Sequence, residues 1–184
     1  MSNAPSPWPL VSSTPVADCT VFRVEHDRAR SPRTGREHDF YRLDAGDWVN
    51  VVPVTPEGDV VLVRQYRHGA RRSTLEIPGG MVDPGETPAE AAARECLEET
   101  GYGGGRVRPL GVVNPNPALF GNRCHTFLAE GVTPVAKIQN EGTEETFVEV
   151  VSSARLNDYV ARGEIDHALV IAALFWWERE LARR

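Results

Sequence analysis

The stretch "RECLEETG" (residues 94–101) places Glu95, Glu98 and Glu99 within five residues of one another. On a helix, Glu95 and Glu99 share one face, and Glu98 stands four residues after Arg94, at ion-pair spacing. Like charges at that spacing cost roughly 0.2–0.5 kcal/mol on an exposed helix. Carboxylates near a helix C-terminus also oppose the macrodipole. A solvated acidic face is one reading. The other is a divalent cation, which turns mutual repulsion into shared ligation, because carboxylate oxygens are the natural ligands of a hard ion such as Mg²⁺.

The flanking residues are built to hold these carboxylates on a helix. Thr87 is a good N-cap, Pro88 suits the first helical position, and Glu90 completes a capping box with Thr87. Ala89, Ala91, Ala92 and Ala93 favour the helix interior, and Gly101 supplies the left-handed stop. The pattern predicts a helix over 88–100. Just upstream, "STLEIPGG" reads as a short strand entering a glycine turn.

Further strands are read at 19–26, 38–43, 107–114, 124–130 and 146–151. "WVNVVPV" and "VVLVRQY" flank the hairpin signal "TPEGD", and the run 60–63 is apolar on both faces, as a covered strand must be. Two helices are read at 152–163 and 164–184, the last with a packing stripe of Ile165, Leu169, Ala172 and Phe175 or Trp176. Residues 1–15, rich in Pro and Ser, read as a flexible arm or extended lead-in, followed by one domain over 16–184. Helices inserted among antiparallel strands make the class α+β.

The 184 residues and 41% hydrophobic content suit one domain with a sizeable core. A net charge of -6 argues against a general nucleic-acid binder. Cys19, Cys96 and Cys124 form neither a zinc pattern nor a disulfide framework, which points to a reducing cytoplasm. The N-terminus has no basic start or long apolar run and reads as no secretory leader, and the apolar stretch 168–177 is too short to span a bilayer, so no membrane partner is expected.

In "GGMVDPGETPAEAAARECLEETGY", Gly80, Glu86, Arg94-Glu95, Glu98-Glu99 and Gly101 fall at the spacing G-x5-E-x7-R-E-U-x-E-E-x-G-U, with U a bulky aliphatic residue. This resembles the signature of the Nudix hydrolases, with Cys96 and Tyr102 departing at the two U positions. "VRQYRHG" before "LEIPGG", and Pro115 and Pro117 after the signature, resemble the ADP-ribose pyrophosphatases of that superfamily. The resemblance covers roughly residues 36–183. It implies the Nudix fold, in which mixed β-sheets are sandwiched between helices as α/β/α layers. It also implies hydrolysis of a nucleoside diphosphate sugar, ADP-ribose to AMP and ribose 5-phosphate, with Mg²⁺ or alternatively Mn²⁺.

By that resemblance the metal ligands are Glu95, Glu98, Glu99 and the carbonyl of Gly79. Arg94 orients the glutamates, and Glu86 supports the loop or the outer metal shell. A glutamate of "NEGTEET" positions or deprotonates the water: Glu144 is favoured by its distance to the following strand, Glu145 is second, and Glu141 lies in the same loop. Arg67 is either a phosphate or ribose contact or an edge-of-strand salt bridge. Glu76 contacts the terminal ribose or a metal, or else pairs with Arg71 or Arg72. Pro117 marks the substrate region. Trp8 and Trp48 either stack on a nucleobase or pack in a core or interface. Cys124, His125 and His167 receive no role. The subgroup implies a homodimer, with the strands of 19–43 crossing to the partner. Alternatives are another nucleoside diphosphate sugar, such as GDP-mannose, or a sensor that binds ADP-ribose without cutting it.

Overall fold

A computed structural model describes residues 4–140 and 145–183. The chain divides into two compact units, residues 4–46 with 116–122 and residues 47–115 with 123–183, where the sequence reads as one domain from residue 16.

The first unit is an antiparallel sheet of β1 (Leu10–Asp18), β2 (Arg23–Arg30) and β3 (Glu37–Asp44), with β2 central. Strand β1 starts inside the Pro/Ser-rich lead-in, because its backbone finds partners from Ala29 to Arg23 on β2. Strand β2 begins four residues later than the sequence suggests. Thr20 takes a left-handed φ of 67°, and its N–H is held by Asp18 Oδ1 at 2.9 Å, so 19–22 is a turn. In the second segment of this unit, Leu119 O accepts from Leu43 N–H at 2.8 Å.

The second unit is built on a mixed sheet whose main path runs β12 (Thr146–Ser152), β5 (Asp59–Arg67), β4 (Trp48–Val54), β10 (Cys124–Glu130) and β9 (Arg106–Val113). Strands β6 (Arg72–Glu76) and β7 (Gly79–Met81) pair with β5 and β4 respectively. A two-stranded pairing joins β8 (Tyr102–Gly103) to β11 (Thr133–Pro134). The turn expected at "TPEGD" forms, but β4 and β5 pair only at Val54 and Val60 before they part. The chain 72–81 fills the gap: β6 follows β5 from Arg67 to Val63, and β7 follows β4 from Trp48 to Asn50. Strand β10 runs parallel to β4 and antiparallel to β9.

Both faces of this sheet are covered. Val49, Val51, Val61 and Phe127 pack with Ala91, Ala92 and Cys96 of α1 (Pro88–Thr100). Val52, Val60, Leu62 and Leu128 pack on the other side with Leu156 of α2 (Leu156–Ala161) and with Val170, Ala173, Leu174 and Trp177 of α3 (Ala168–Leu181). The class is α+β with α/β/α layers, as expected. The packing stripe of the last helix differs from expectation. The helix starts at Ala168 rather than 164, and the buried positions are 170, 173, 174 and 177, while Phe175 is exposed. Among the described residues no helix is long and apolar enough to cross a membrane.

Candidate functional site

Helix α1 has the bounds that the sequence predicts because both ends are locally written. Thr87 Oγ1 accepts from Glu90 N–H, and a Glu90 carboxylate oxygen accepts from Thr87 N–H at 2.8 Å. Gly101 closes the helix at a left-handed φ of 72°, its N–H donating to Leu97 O. Burial of Ala91, Ala92 and Cys96 fixes the helix rotation, so Glu95 and Glu99 turn toward strand β7. Cys96, an unusual residue at its signature position, serves as packing; burial pushes its thiol up to about 11.

Strand β7 meets these carboxylates through its backbone. Gly79 N–H donates to Glu99 Oε2 at 2.9 Å, and Glu99 is only 7% exposed. A methyl group at Gly80 would lie 2.6 Å from Glu95 Cδ, so glycine is what lets that carboxylate rest on the strand. Arg94 ties the rest together. Its Nε and Nη2 donate to the two oxygens of Glu86 at 3.0 Å each, and its Nη1 donates to Glu95 Oε1 at 2.9 Å and Glu98 Oε2 at 3.0 Å. Nη2 also donates to Met81 O at 3.1 Å, which anchors the loop between β7 and α1. The hydrogen bond from Arg94, with its charge, holds the Glu86 carboxyl below the usual range. The expected Arg94–Glu98 pair and the loop-supporting position of Glu86 are therefore both present in the geometry.

Among the described residues no three His, Cys, Asp or Glu side chains already converge as a metal cage. A hard divalent ion does not require one. Mg²⁺ characteristically takes one or two carboxylates and completes its shell with water and substrate phosphate oxygens. The donor chemistry of Glu95 and Glu99 beside a glycine backbone fits that habit.

The opposite flank of β7 borders a cavity of about 340 Å³. Trp48, Asn50, Arg67, Glu76, His167 and Leu169 line it together with Gly79 and Gly80. Glu76 is 2% exposed and accepts from Arg67 Nε and Nη2 at 2.8 Å each and from Thr74 Oγ1 at 2.6 Å. Burial pushes its carboxyl up, but the bonds from Arg67 and Thr74 and the neighbouring charges outweigh that and hold it below the usual carboxylate range. Glu76 thus pairs with Arg67, not with Arg71 or Arg72; Arg72 pairs with Asp166.

The site brings Arg67, Glu76, Gly79, Arg94, Glu95, Glu98 and Glu99 together around β7. Pro117 is exposed and belongs to the other compact unit, as does Trp8, whose ring sits edge-on to His38 and Phe40. Glu144 and Glu141 lie outside the described residues, and Glu145 is exposed. The flanks of their segment are attached to the end of α1: Gln139 N–H donates to Glu98 O at 2.8 Å, and Thr146 Oγ1 donates to Glu99 O at 3.0 Å. Sequence reasoning missed His167. It precedes α3 rather than lying within it, and its Nδ1 stands 3.3 Å from Glu76 Oε2. No local pattern announces a contact between residues so far apart in the chain.

A model of the NUDIX domain matches residues 46–174. The chain is 37% identical to the ADP-ribose pyrophosphatase of Bacillus subtilis (strain 168) over 103 residues, 56% of this chain and 55% of that protein. It thus spans about half the length of that relative. It is 28% identical to the ADP compounds hydrolase NudE of Escherichia coli (strain K12) over 163 residues, 87% of this chain and 86% of that one. A solved structure of an ADP compounds hydrolase superposes with a TM-score of 0.86 at 23% identity, covering 98% of this chain and 97% of that chain, so the fold is shared. The chain therefore belongs to the Nudix hydrolase family, in the part of it that resembles the ADP-ribose pyrophosphatases.

Proposed function

We propose that the protein hydrolyses the diphosphate bond of a nucleoside diphosphate sugar, with ADP-ribose as substrate and AMP and ribose 5-phosphate as products. One observation carries this reading: a single glycine strand, β7, has the α1 carboxylates on one flank and the Arg67-lined cavity on the other. A substrate whose diphosphate crosses that strand presents charge, through a bound cation, to Glu95 and Glu99 on one flank, and a phosphate oxygen with one of its ends to the cavity on the other. The ADP-ribose pyrophosphatase and the ADP compounds hydrolase among its relatives support the substrate class.

Glu95, Glu98, Glu99 and the Gly79 carbonyl would hold Mg²⁺, or Mn²⁺ in its place. A bound divalent ion neutralises diphosphate charge and acidifies a bound water. Arg94 orients Glu95 and Glu98 through the hydrogen bonds from its Nη1. Glu144, with Glu145 second, takes the proton of the attacking water; the bonds from the flanking Gln139 and Thr146 to the end of α1 support this assignment. Arg67 binds a substrate oxygen, with Glu76 fixing its guanidinium plane. Buried reduced thiols agree with a cytoplasmic protein. Exposed Val11, Val16, Phe40 and Tyr41 on the three-stranded sheet support a homodimer built through that unit, and sedimentation as a monomer at micromolar concentration would end that part of the reading.

The test is phosphate release from a panel of nucleoside diphosphate compounds with Mg²⁺ and excess phosphatase, run on the wild type and Glu99→Gln. The variant keeps an acceptor for Gly79 N–H, so it should fold normally and lose activity by about 10²–10³-fold, the scale seen when one charge-stabilising group is removed. Near wild-type turnover by Glu99→Gln would refute the metal assignment. Preference for a GDP- or UDP-sugar would keep the mechanism and replace the substrate, and binding of ADP-ribose without turnover would favour a sensor.

A further inference from the structure

The buried carboxylate that lines the cavity has two basic side chains against it, a guanidinium and an imidazole. Glu76 binds Arg67 through both oxygens, and His167 Nδ1 stands 3.3 Å from Oε2. Glu76 is inaccessible, with 3% of its side chain exposed, whereas Arg67 and His167 each keep 43% of theirs exposed at the cavity rim.

His167 occupies the N-cap position of α3, yet its side chain makes no cap hydrogen bond. The imidazole is turned to Glu76 instead. Its Nδ1 is buried and short of hydrogen-bond alignment with Oε2 in this state. A ring nitrogen facing a carboxylate keeps its proton, which leaves Nε2 on the exposed edge of the ring. In the neutral ring Nε2 is an acceptor and repels an anionic oxygen. In the protonated ring both nitrogens donate, one to Glu76 and one outward.

We propose that His167 is a substrate-contacting specificity residue, forming with Arg67 a two-cation clamp, ordered by Glu76, that takes an anionic oxygen of the substrate diphosphate. The proposal rests on the reading of the protein as a diphosphate hydrolase. Arg67 and Glu76 cancel each other, and Arg72 is engaged by Asp166, the neighbour of His167. Across the cavity, burial pushes the Cys124 thiol up to about 12, so it stays neutral. A diphosphate diester keeps a constant charge through the range in which imidazoles titrate, so a change in its affinity there reports the protein.

The experiment is calorimetric titration of the full chain with the non-hydrolysable α,β-methylene analogue of ADP-ribose in Mg²⁺, at pH 5.5 and pH 8.0. The wild type should bind about tenfold more tightly at the lower pH, on the order of one added charge-assisted hydrogen bond to the substrate. His167→Gln should bind equally at both values and more weakly than the wild type at pH 5.5. His167→Lys should bind tightly at both. A purely structural His167 would weaken binding by one factor at every pH and lower the melting temperature. That result, or a His167→Gln variant that keeps the wild-type pH dependence, overturns the clamp. If the wild type turns over ADP-ribose but binds the analogue without pH dependence, the clamp alone fails. If it neither binds nor cleaves any diphosphate compound, the functional reading fails and takes the clamp with it.

Discussion

Replacing Gly80 with Ala should separate stability from activity. The added methyl would stand 2.6 Å from Glu95 Cδ. Carbon atoms in ordinary contact are roughly 3.5–4.0 Å apart, so the carboxylate must retreat by about 1 Å. It can do so, because it is the far end of a flexible side chain that is held laterally by Arg94 Nη1. The fold should therefore lose no more than about 1 kcal/mol, the order of one off-rotamer adjustment. The active geometry should not survive as well, since a displacement of about 1 Å in a positioned group can cost on the order of 10²-fold. Gly79→Ala is the control. There the methyl would lie 2.9 Å from Asn50 Cα, against backbone that cannot yield, so its melting temperature should fall clearly. The assay is kcat for ADP-ribose with a Mg²⁺ titration, run beside thermal melts of both variants. Gly80→Ala should melt near the wild type, show a kcat lower by about 10²-fold, and require more Mg²⁺. A Gly80→Ala enzyme with wild-type kcat and wild-type Mg²⁺ dependence would show that the position of Glu95 does not matter to the chemistry.

Two further outcomes follow from buried groups. The folded-state pKa of Glu76 lies below its ordinary value of 4.5, so its ionised form contributes stability above that pH and loses it as pH falls through the lower folded-state value. Glu76→Gln should therefore lower the melting temperature at pH 7 and make its fall below pH 4.5 shallower than in the wild type. An unchanged acid limb would contradict the assignment. Cys19 is exposed while Cys96 and Cys124 are buried, their thiols pushed by burial to about 11 and about 12. Ellman titration at pH 8 should count one thiol in the native protein and three after denaturation; rapid reaction of a second native thiol would contradict the packing of α1 or β10.

What the sequence disclosed and what it withheld follow from the range of the interactions involved. Helix α1 was legible to the residue because Thr87, Glu90 and Gly101 act on backbone groups within four positions of themselves. The covered character of 60–63 was legible for the same reason, since both faces are written in consecutive side chains. The hairpin at "TPEGD" was half legible. The turn is local, but the parting of β4 and β5 depends on β6 and β7, which come later in the chain. The carboxylate cluster was visible, whereas the partner of Glu76 was not. Arg67, Arg71 and Arg72 were all near enough in sequence, and only the register of β5 with β6 selects Arg67. His167 was invisible, since nothing near residue 76 marks a residue just before the last helix as its neighbour.

The parting of β4 from β5 has an implication for how such a protein can change. The segment wedged between them gives its backbone to the acidic helix and its bordering side chains to the cavity. Gly79 and Gly80 meet α1 through backbone atoms, so in the proposed reading the hydrolytic half is insulated from side-chain changes at the cavity rim that would select the substrate. Arg67, Glu76 and His167 come from three separate stretches of chain, and none of them is a ligand in the proposed metal set. In the proposed reading, substrate preference can therefore change one rim residue at a time while the carboxylates of α1 stay in place.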